Sequence, residues 1–306
     1  MMRVIRTPRT AGDRVIALGT FDGVHRGHRA LIRAARRMAR EMGVPLRVCT
    51  FDRHPLEVLR PDNPPELLST TPEKALEMQR LGVDEMELIR FDRQTADLEP
   101  EEFLERLRRL NGVRGIVAGW NYSFGRKGRG DAELLQADGQ ANGYGVLIVP
   151  PETLEDGTAV SSTLVRAKLR EGLIDEAADL LGHAYTLTGT VAPGKHQGKV
   201  LGFPTANVEP WKRKALPKYG VYTCLLETGD LTLPAVANVG VQPTIPSGKV
   251  TVEAHILDGD PELYGRKVRL TPLKMLREEK KFDSPEALKE QIEKDRAEAM
   301  KLFGMA

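Results

Sequence analysis

Sulfur, aromatic rings and net charge are all scarce in this chain, and each shortage removes a class of protein. Only 2 of the 306 residues are cysteine, which excludes a disulfide scaffold or a cysteine-rich metal framework. Cys49 and Cys224 lie far apart in apolar, strand-like runs with no CxxC pairing, so two reduced, buried thiols are predicted. Aromatic residues make up 5%, and 45 Lys+Arg nearly cancel 43 Asp+Glu to leave +2. A basic face interleaved with stacking rings is therefore missing, and no nucleic-acid partner is expected. No apolar run approaches the ~20 residues of a membrane span. The basic start, MMRVIRTPRT, leads only into the short VIALG and not into the apolar core of a signal peptide. No membrane partner and a cytoplasmic location are the expectation, while the oligomeric state leaves no mark on the sequence.

What is present is ordinary for a folded chain, 41% apolar and 29% charged residues, at a length that suits two domains of about 100–200 residues each. From Arg14 to Val149 short apolar runs alternate with helical patterns: RVIALGTF, His28–Met42, VPLRVCTF, Pro72–Leu81, DEMELIRF, Pro100–Leu110, VRGIVAG, Asp131–Ala141 and YGVLIV. That alternation predicts an α/β domain with a parallel sheet. Within the first helix Leu31, Ala35, Met38 and Met42 share a face, and Arg29, Arg33, Arg36 and Arg40 are expected to face solvent. Two further helices are predicted at Ser162–Arg170 and Asp175–Leu181. After Gly182 the pattern changes to YTLTGTVA, LGFPTANV, GVYTCLLET, LPAVANVG, TVEAHILD and RKVRLTPLKM, short turn-bounded runs expected of a small antiparallel β-barrel. A last helix, capped by Ser284 with Pro285 at its first position, carries Leu288, Ile292, Ala299 and Phe303 on one face and is expected to cover the barrel. The division is therefore placed at 1–182 and 183–306.

The segment Gly19–His28, GTFDGVHRGH, leaves the first parallel strand and enters a helix. Gly19 and Gly23 allow close backbone approach there, and a helix N-terminus offers unpaired N–H groups to a phosphate. His25 and His28, three apart, would share a face and could both donate to phosphate oxygens. Zinc is the competing use of HxxH, but no third ligand stands at a suggestive spacing, and capping histidines are the plain structural alternative. In the second half, Gly194–Val208 reads GKHQGKVLGFPTANV, a glycine- and lysine-bearing loop running into a strand. Thr205 and Asn207 are two apart, so they face one side of that strand and could jointly ligate Mg²⁺ and phosphate. By alternation alone, Glu253 is an outward-facing strand residue.

GTFDGVHRGH resembles the HxGH signature of nucleotidylyltransferases in the form found in the prokaryotic FAD synthetase family. TFDRHP at Thr50–Pro55, AGWNYSFGRKGRGD at Ala118–Asp131 and SSTLVR at Ser161–Arg166 resemble that family's later motifs in the same order. The PTAN run, KYGVYT, ANVGVQPT, VEAHILDGDPELYGRKVRL and LREEKKFDSPEALKEQIEKD resemble riboflavin kinases, so the likeness spans Arg14 to Asp295. It implies a Rossmann-like nucleotidylyltransferase domain followed by a flavokinase barrel with a C-terminal helix, joined near Gly182–Ala184. It further implies phosphorylation of riboflavin to FMN in the second half and adenylylation of FMN to FAD in the first, with ATP as co-substrate and Mg²⁺ as metal.

By resemblance His25 and His28 contact the ATP phosphates, with Gly19, Phe21, Asp22 and Gly23 in the same loop. Ser162, Thr163 and Arg166 hold the leaving pyrophosphate, and Asn121 binds ATP or flavin. In the second half, Glu253 is the implied base for the riboflavin hydroxyl. Gly194, Lys195 and Gly198 form the ATP loop, Lys195 and Lys199 steer the nucleotide, and Arg277 lines the flavin or phosphate loop.

Overall fold

The structure is a computed structural model that describes residues 2–6, 12–193, 205–241, 250–259 and 261–305. Gly194, Lys195, Gly198 and Lys199 lie outside the described residues. The chain groups into two compact units, Met1–Ser162 and Thr163–Ala306.

The first unit is built on six parallel strands, β1 (Arg3–Ile5), β2 (Asp13–Leu18), β3 (Leu46–Phe51), β4 (Glu85–Ile89), β5 (Gly112–Gly119) and β6 (Gly145–Val149). Their order is β1-β4-β3-β2-β5-β6, so the chain steps to one side of β2 for β3 and to the other for β5. Between them run α1 (Arg26–Glu41), α2 (Pro55–Leu59), α3 (Thr71–Arg80), α4 (Arg93–Ala96), α5 (Pro100–Leu110) and α6 (Ala132–Asn142). The alternation within β2 divides the core. Val15 and Ala17 pack with Leu31, Ile32 and Ala35 of α1, whereas Ile16 and Leu18 pack with Phe103, Leu104 and Leu107 of α5. The parallel α/β architecture is as the alternating pattern predicts. The short edge strand β1 and the one-turn helices α2 and α4 were not predicted, being too brief to show a period.

Two arginines expected in solvent are not there. Arg29 pairs with Glu77 of α3 at 2.9 Å, and Arg36 donates to the carbonyl oxygens of Leu81 and Gly82, so both tie α1 to α3. The reason is the width of the helix face: a long side chain at its border reaches the neighbouring helix before it reaches water.

The N-terminal ends of the central strands are joined by charge. Arg47 is fully buried on β3, and its Nε and Nη2 donate to Glu85 of β4 at 2.8 and 2.5 Å. Arg14 of β2 reaches the same carboxylate at 3.1 Å, Arg3 of β1 also pairs with it, and Asn111 accepts from Arg47. Glu87 stands nearby, its carboxyl raised above the ordinary range by burial although Arg47 opposes the shift. A buried set of this kind gains little over apolar packing while intact, but removing one partner strands the others.

The second unit begins with α7 (Ser162–Glu171), whose first residue closes the first unit, and continues with α8 (Ile174–Leu181). Strands β7 (Leu187–Ala192), β8 (Thr205–Pro210), β9 (Gly220–Thr228), β10 (Leu231–Val241), β11 (Val250–Ile256) and β12 (Lys267–Glu278) form a closed barrel. All six strand pairings are antiparallel. Helix α9 (Pro285–Leu302) is capped by Ser284, whose hydroxyl accepts from Ala287 N–H at 3.1 Å. Ala299, Met300 and Phe303 lie against Val221, Val236 and Leu257 of the barrel unit. The barrel and its covering helix are as the sequence predicts.

Residues 163–182 group with the barrel unit, whereas the sequence reading placed them with the first domain. Their contacts run that way: Lys218 N–H donates to Leu169 C=O at 2.8 Å, and a side chain on Gly172 would collide with Met275. Both cysteines are free and buried.

Replacing Glu85 by Ala leaves Arg47 and Arg14 as buried cations without their main partner and is expected to cost about 3–5 kcal/mol. Asp13→Ala, which breaks only the exposed pair with Arg114, is expected to cost about 0–1 kcal/mol. Urea midpoints of the two variants read the contrast, and equal shifts would show that the buried set is dispensable.

Candidate active sites

Reversal of strand order at β2 opens a crevice beyond the C-terminal ends of β2 and β5, the usual ligand position in such sheets. The segment from Gly19 to His25 lies at the end of β2, and exposed Asn121 stands two residues past the end of β5. The backbone of this segment is unusual. Phe21 and Val24 adopt left-handed conformations, φ 51° and 47°, beside Gly23 at 79°. Such angles in non-glycine residues cost about 1–3 kcal/mol each and persist only where neighbours enforce them.

The neighbours are identifiable. The Asp22 carboxylate accepts from Leu68 N–H at 3.0 and 3.1 Å and from Ser69 N–H at 3.1 Å. The Ser69 hydroxyl in turn accepts from Gly23 N–H at 3.0 Å. Ser162 donates its hydroxyl to the Asp22 carbonyl at 2.9 Å. Lys74 of α3 donates to the Thr20 carbonyl at 2.6 Å. Asp22 is thus occupied in anchoring the loop.

Beyond the loop, α1 begins at Arg26 without a side-chain cap, so its first N–H groups remain as donors at the end of the loop. His25 and His28 stack, ring centroids 3.6 Å apart, and Phe21 meets His28 edge-on at 5.2 Å. A Cβ on Gly27 would lie 3.3 Å from the His25 ring, which accounts for glycine between the two. The His28 imidazole is held well below its ordinary pKa, first by burial, then by His25 and Lys74, and its Nδ1 is buried and unbonded, which leaves Nε2 as the nitrogen able to meet a ligand. Among the described residues no group of three His, Cys, Asp or Glu is arranged to hold a metal, and the zinc reading of HxxH gains no support. Ser162 of SSTLVR reaches the loop. Thr163 and Arg166 follow it on α7 within the second unit.

In the barrel, alternation sorts the side chains. Ala206, Val208, Val252 and Ala254 fill the interior, which turns Thr205, Asn207, Glu253 and His255 to the outer wall. Register then aligns them: Glu253 lies opposite Asn207, His255 opposite Thr205, and Asn238 of β10 opposite Glu253 from the other side. A row Asn238–Glu253–Asn207 therefore crosses three strands on one face. Asn238 was missed, although it sits in the ANVG run, because pairing between distant strands is invisible in a linear pattern. Arg277 of β12 is committed elsewhere: its Nε and Nη2 donate to Asp295 of α9 at 2.8 to 3.0 Å.

Comparison with known proteins fits two sites of this kind. A family model for FAD synthetase matches residues 7–164, and one for riboflavin kinase matches 181–303. The bifunctional riboflavin kinase/FMN adenylyltransferase of Escherichia coli K12 is 38% identical over 95% of this chain and 93% of its own. The chain belongs to this bifunctional family. The Bacillus subtilis relative of the same description is 34% identical over 94% of this chain and 92% of its own. A solved structure described as a macrolide-efflux protein from Streptococcus pneumoniae matches 97% of both chains with a TM-score of 0.86 and 33% identity. Among the described residues of this family member no helix is long and apolar enough to cross a membrane.

Removing the anchor should release the loop. Asp22→Ala is expected to abolish FAD formation while FMN formation from riboflavin continues, and to lower stability by about 1–3 kcal/mol through the stranded Leu68 and Ser69 amides. Flavin chromatography and a thermal melt on one sample check both; unimpaired FAD formation would show that Asp22 does not hold the loop in its working form.

Proposed function

We propose that this chain makes both flavin coenzymes from riboflavin, with one reaction assigned to each half. The support is that the two family matches coincide with two separate constellations, one at the end of β2 and one on the barrel wall. Working domains of 1–182 and 183–306 remain our division, with α7 and α8 as the connecting pair.

In the first half, an FMN phosphate oxygen attacks the α-phosphorus of ATP and pyrophosphate leaves, so FAD forms without a covalent enzyme intermediate. Catalysis is then positioning and charge stabilisation. The uncapped N–H groups of α1 and the Nε2 donors of His25 and His28 receive charge developing on the α-phosphate. Ser162, Thr163 and Arg166 hold the leaving pyrophosphate, and Asn121 contacts ATP or flavin. Gly19, Phe21 and Gly23 shape the approach.

In the barrel half, the riboflavin 5′-hydroxyl attacks the γ-phosphorus of ATP and ADP leaves. Glu253 accepts the hydroxyl proton, a role a carboxylate on this face can fill. Thr205 and Asn207 present hard oxygen donors on the same face, a set that suits Mg²⁺ shared with substrate phosphates. When bound, Mg²⁺ neutralises phosphate charge. Arg277, clamped by Asp295, would set the position of the flavin or phosphate loop. Gly194, Lys195 and Gly198 complete the ATP loop. Riboflavin, FMN, FAD and ATP are the partners in this reading, with neither nucleic acid nor membrane, and the cytoplasm is the location.

Two substitutions separate the halves. His28→Ala is expected to slow FMN adenylylation by about 10²–10³ with riboflavin phosphorylation unchanged. Glu253→Gln is expected to abolish riboflavin phosphorylation while FMN supplied directly is still converted to FAD. Chromatography of flavins after incubation with ATP and Mg²⁺ reads both, and loss of both activities in either variant would contradict independent sites.

A further inference from the structure

Lys74 stands in the first turn of α3 with its side chain turned inward. Its ammonium donates to the Thr20 carbonyl at 2.6 Å and reaches Thr50 Oγ1 at 3.5 Å, while the Thr50 hydroxyl donates to that same carbonyl at 3.0 Å. Among the described residues no carboxylate lies within ion-pair distance of it. Asp22 acts on it only through space, since its oxygens are occupied by Leu68 and Ser69. The acidic residues of its own helix are also engaged, Glu73 at the Thr70 N–H and Glu77 with Arg29 and Arg80. A hydroxyl or amide could satisfy one carbonyl. An inward cation without an ion pair is costly, and the cost has a use where a polyanion is to arrive.

Resting on the reading of His25 and His28 as phosphate contacts, we propose that Lys74 is a positioning residue of the adenylyl-transfer site. It holds the Thr20 carbonyl just before Phe21 and keeps a positive charge beneath the loop that leads to the histidine pair, which draws the nucleotide's phosphates inward. Three charged or titratable groups bear on it or answer to it: Asp22 from the loop, His28 from α1, and His25 stacked on His28.

One consequence is measurable. Burial lowers the Lys74 ammonium to about 8, with Asp22 opposing. An arriving polyanion favours the charged form, so binding is coupled to proton uptake, and affinity falls as pH rises through that value. Linkage through one group limits the fall to about tenfold per pH unit. Phosphate groups, with a second pKa near ~6, are already fully ionised over this range.

The test is kcat and KM for ATP in the conversion of FMN to FAD between about pH 7 and 9.5, bracketing that pKa. A thermal melt and far-ultraviolet circular dichroism of the same samples verify that the chain is folded. In the unaltered protein KM for ATP is expected to rise by up to about tenfold per unit above about pH 8, with kcat changing less. Lys74→Met is expected to give a high KM with no slope in this range, and Lys74→Arg a KM without slope because its charge is permanent. Should the longer guanidinium not fit, Lys74→Met alone decides the slope. Parallel pH dependence in the unaltered protein and Lys74→Met overturns the proposal. If His28→Ala also leaves the adenylylation rate and the KM for ATP intact, the phosphate-site reading itself fails; if His28→Ala remains impaired, only the role of Lys74 does.

Discussion

The first half turns on holding Gly19–His25 in a backbone shape that its side chains oppose. Phe21 and Val24 stay left-handed because the Asp22 carboxylate, the Ser69 hydroxyl, Lys74 and Ser162 fasten the loop from separate segments of the chain. The uncapped start of α1 and the stacked histidines lie directly beyond that fastened loop. Remote segments therefore contribute to the site without touching substrate. Loop 66–70, far from the motif in sequence, is as much a part of it as the motif glycines.

The barrel reaches a comparable end by another route. Its polar row stands on regular strands, where geometry comes from the register of β10, β11 and β8 and needs no left-handed residue. Rigidity here comes from neighbours on both sides of every strand. The ion pair between Arg277 of β12 and Asp295 fastens the covering helix to a different strand of the barrel from those that carry the row.

Much of this was legible in the sequence because it depends on short periods. The short apolar runs between helical patterns marked the strands of the parallel sheet, and the six barrel runs each became a strand. HxGH and PTAN were visible because the chemistry requires adjacent residues. What escaped depends on contacts between distant segments. Lys74 reads as an ordinary helical lysine until Thr20 is seen beneath it, and Asn238 as one more residue of a strand run until Glu253 is placed beside it. Asp22 was read as a ligand contact from its motif, yet its oxygens face the amides of Leu68 and Ser69. Arg29 and Arg36 looked solvated because a helical pattern says nothing about the helix next to it.

Closure of the barrel bears on how the kinase half could fail. On an open sheet an outer strand can slide by one residue and exchange its two faces, which here would drive Glu253 into the apolar interior and bring Ala254 to the surface. In the closed ring β11 is paired with β10 on one side and β8 on the other, so such a slip must break both ladders together. The topology that removes free edges thereby acts as a proofreading device for the active face: a chain whose barrel has closed has, by the same act, its acid and its two amides in line.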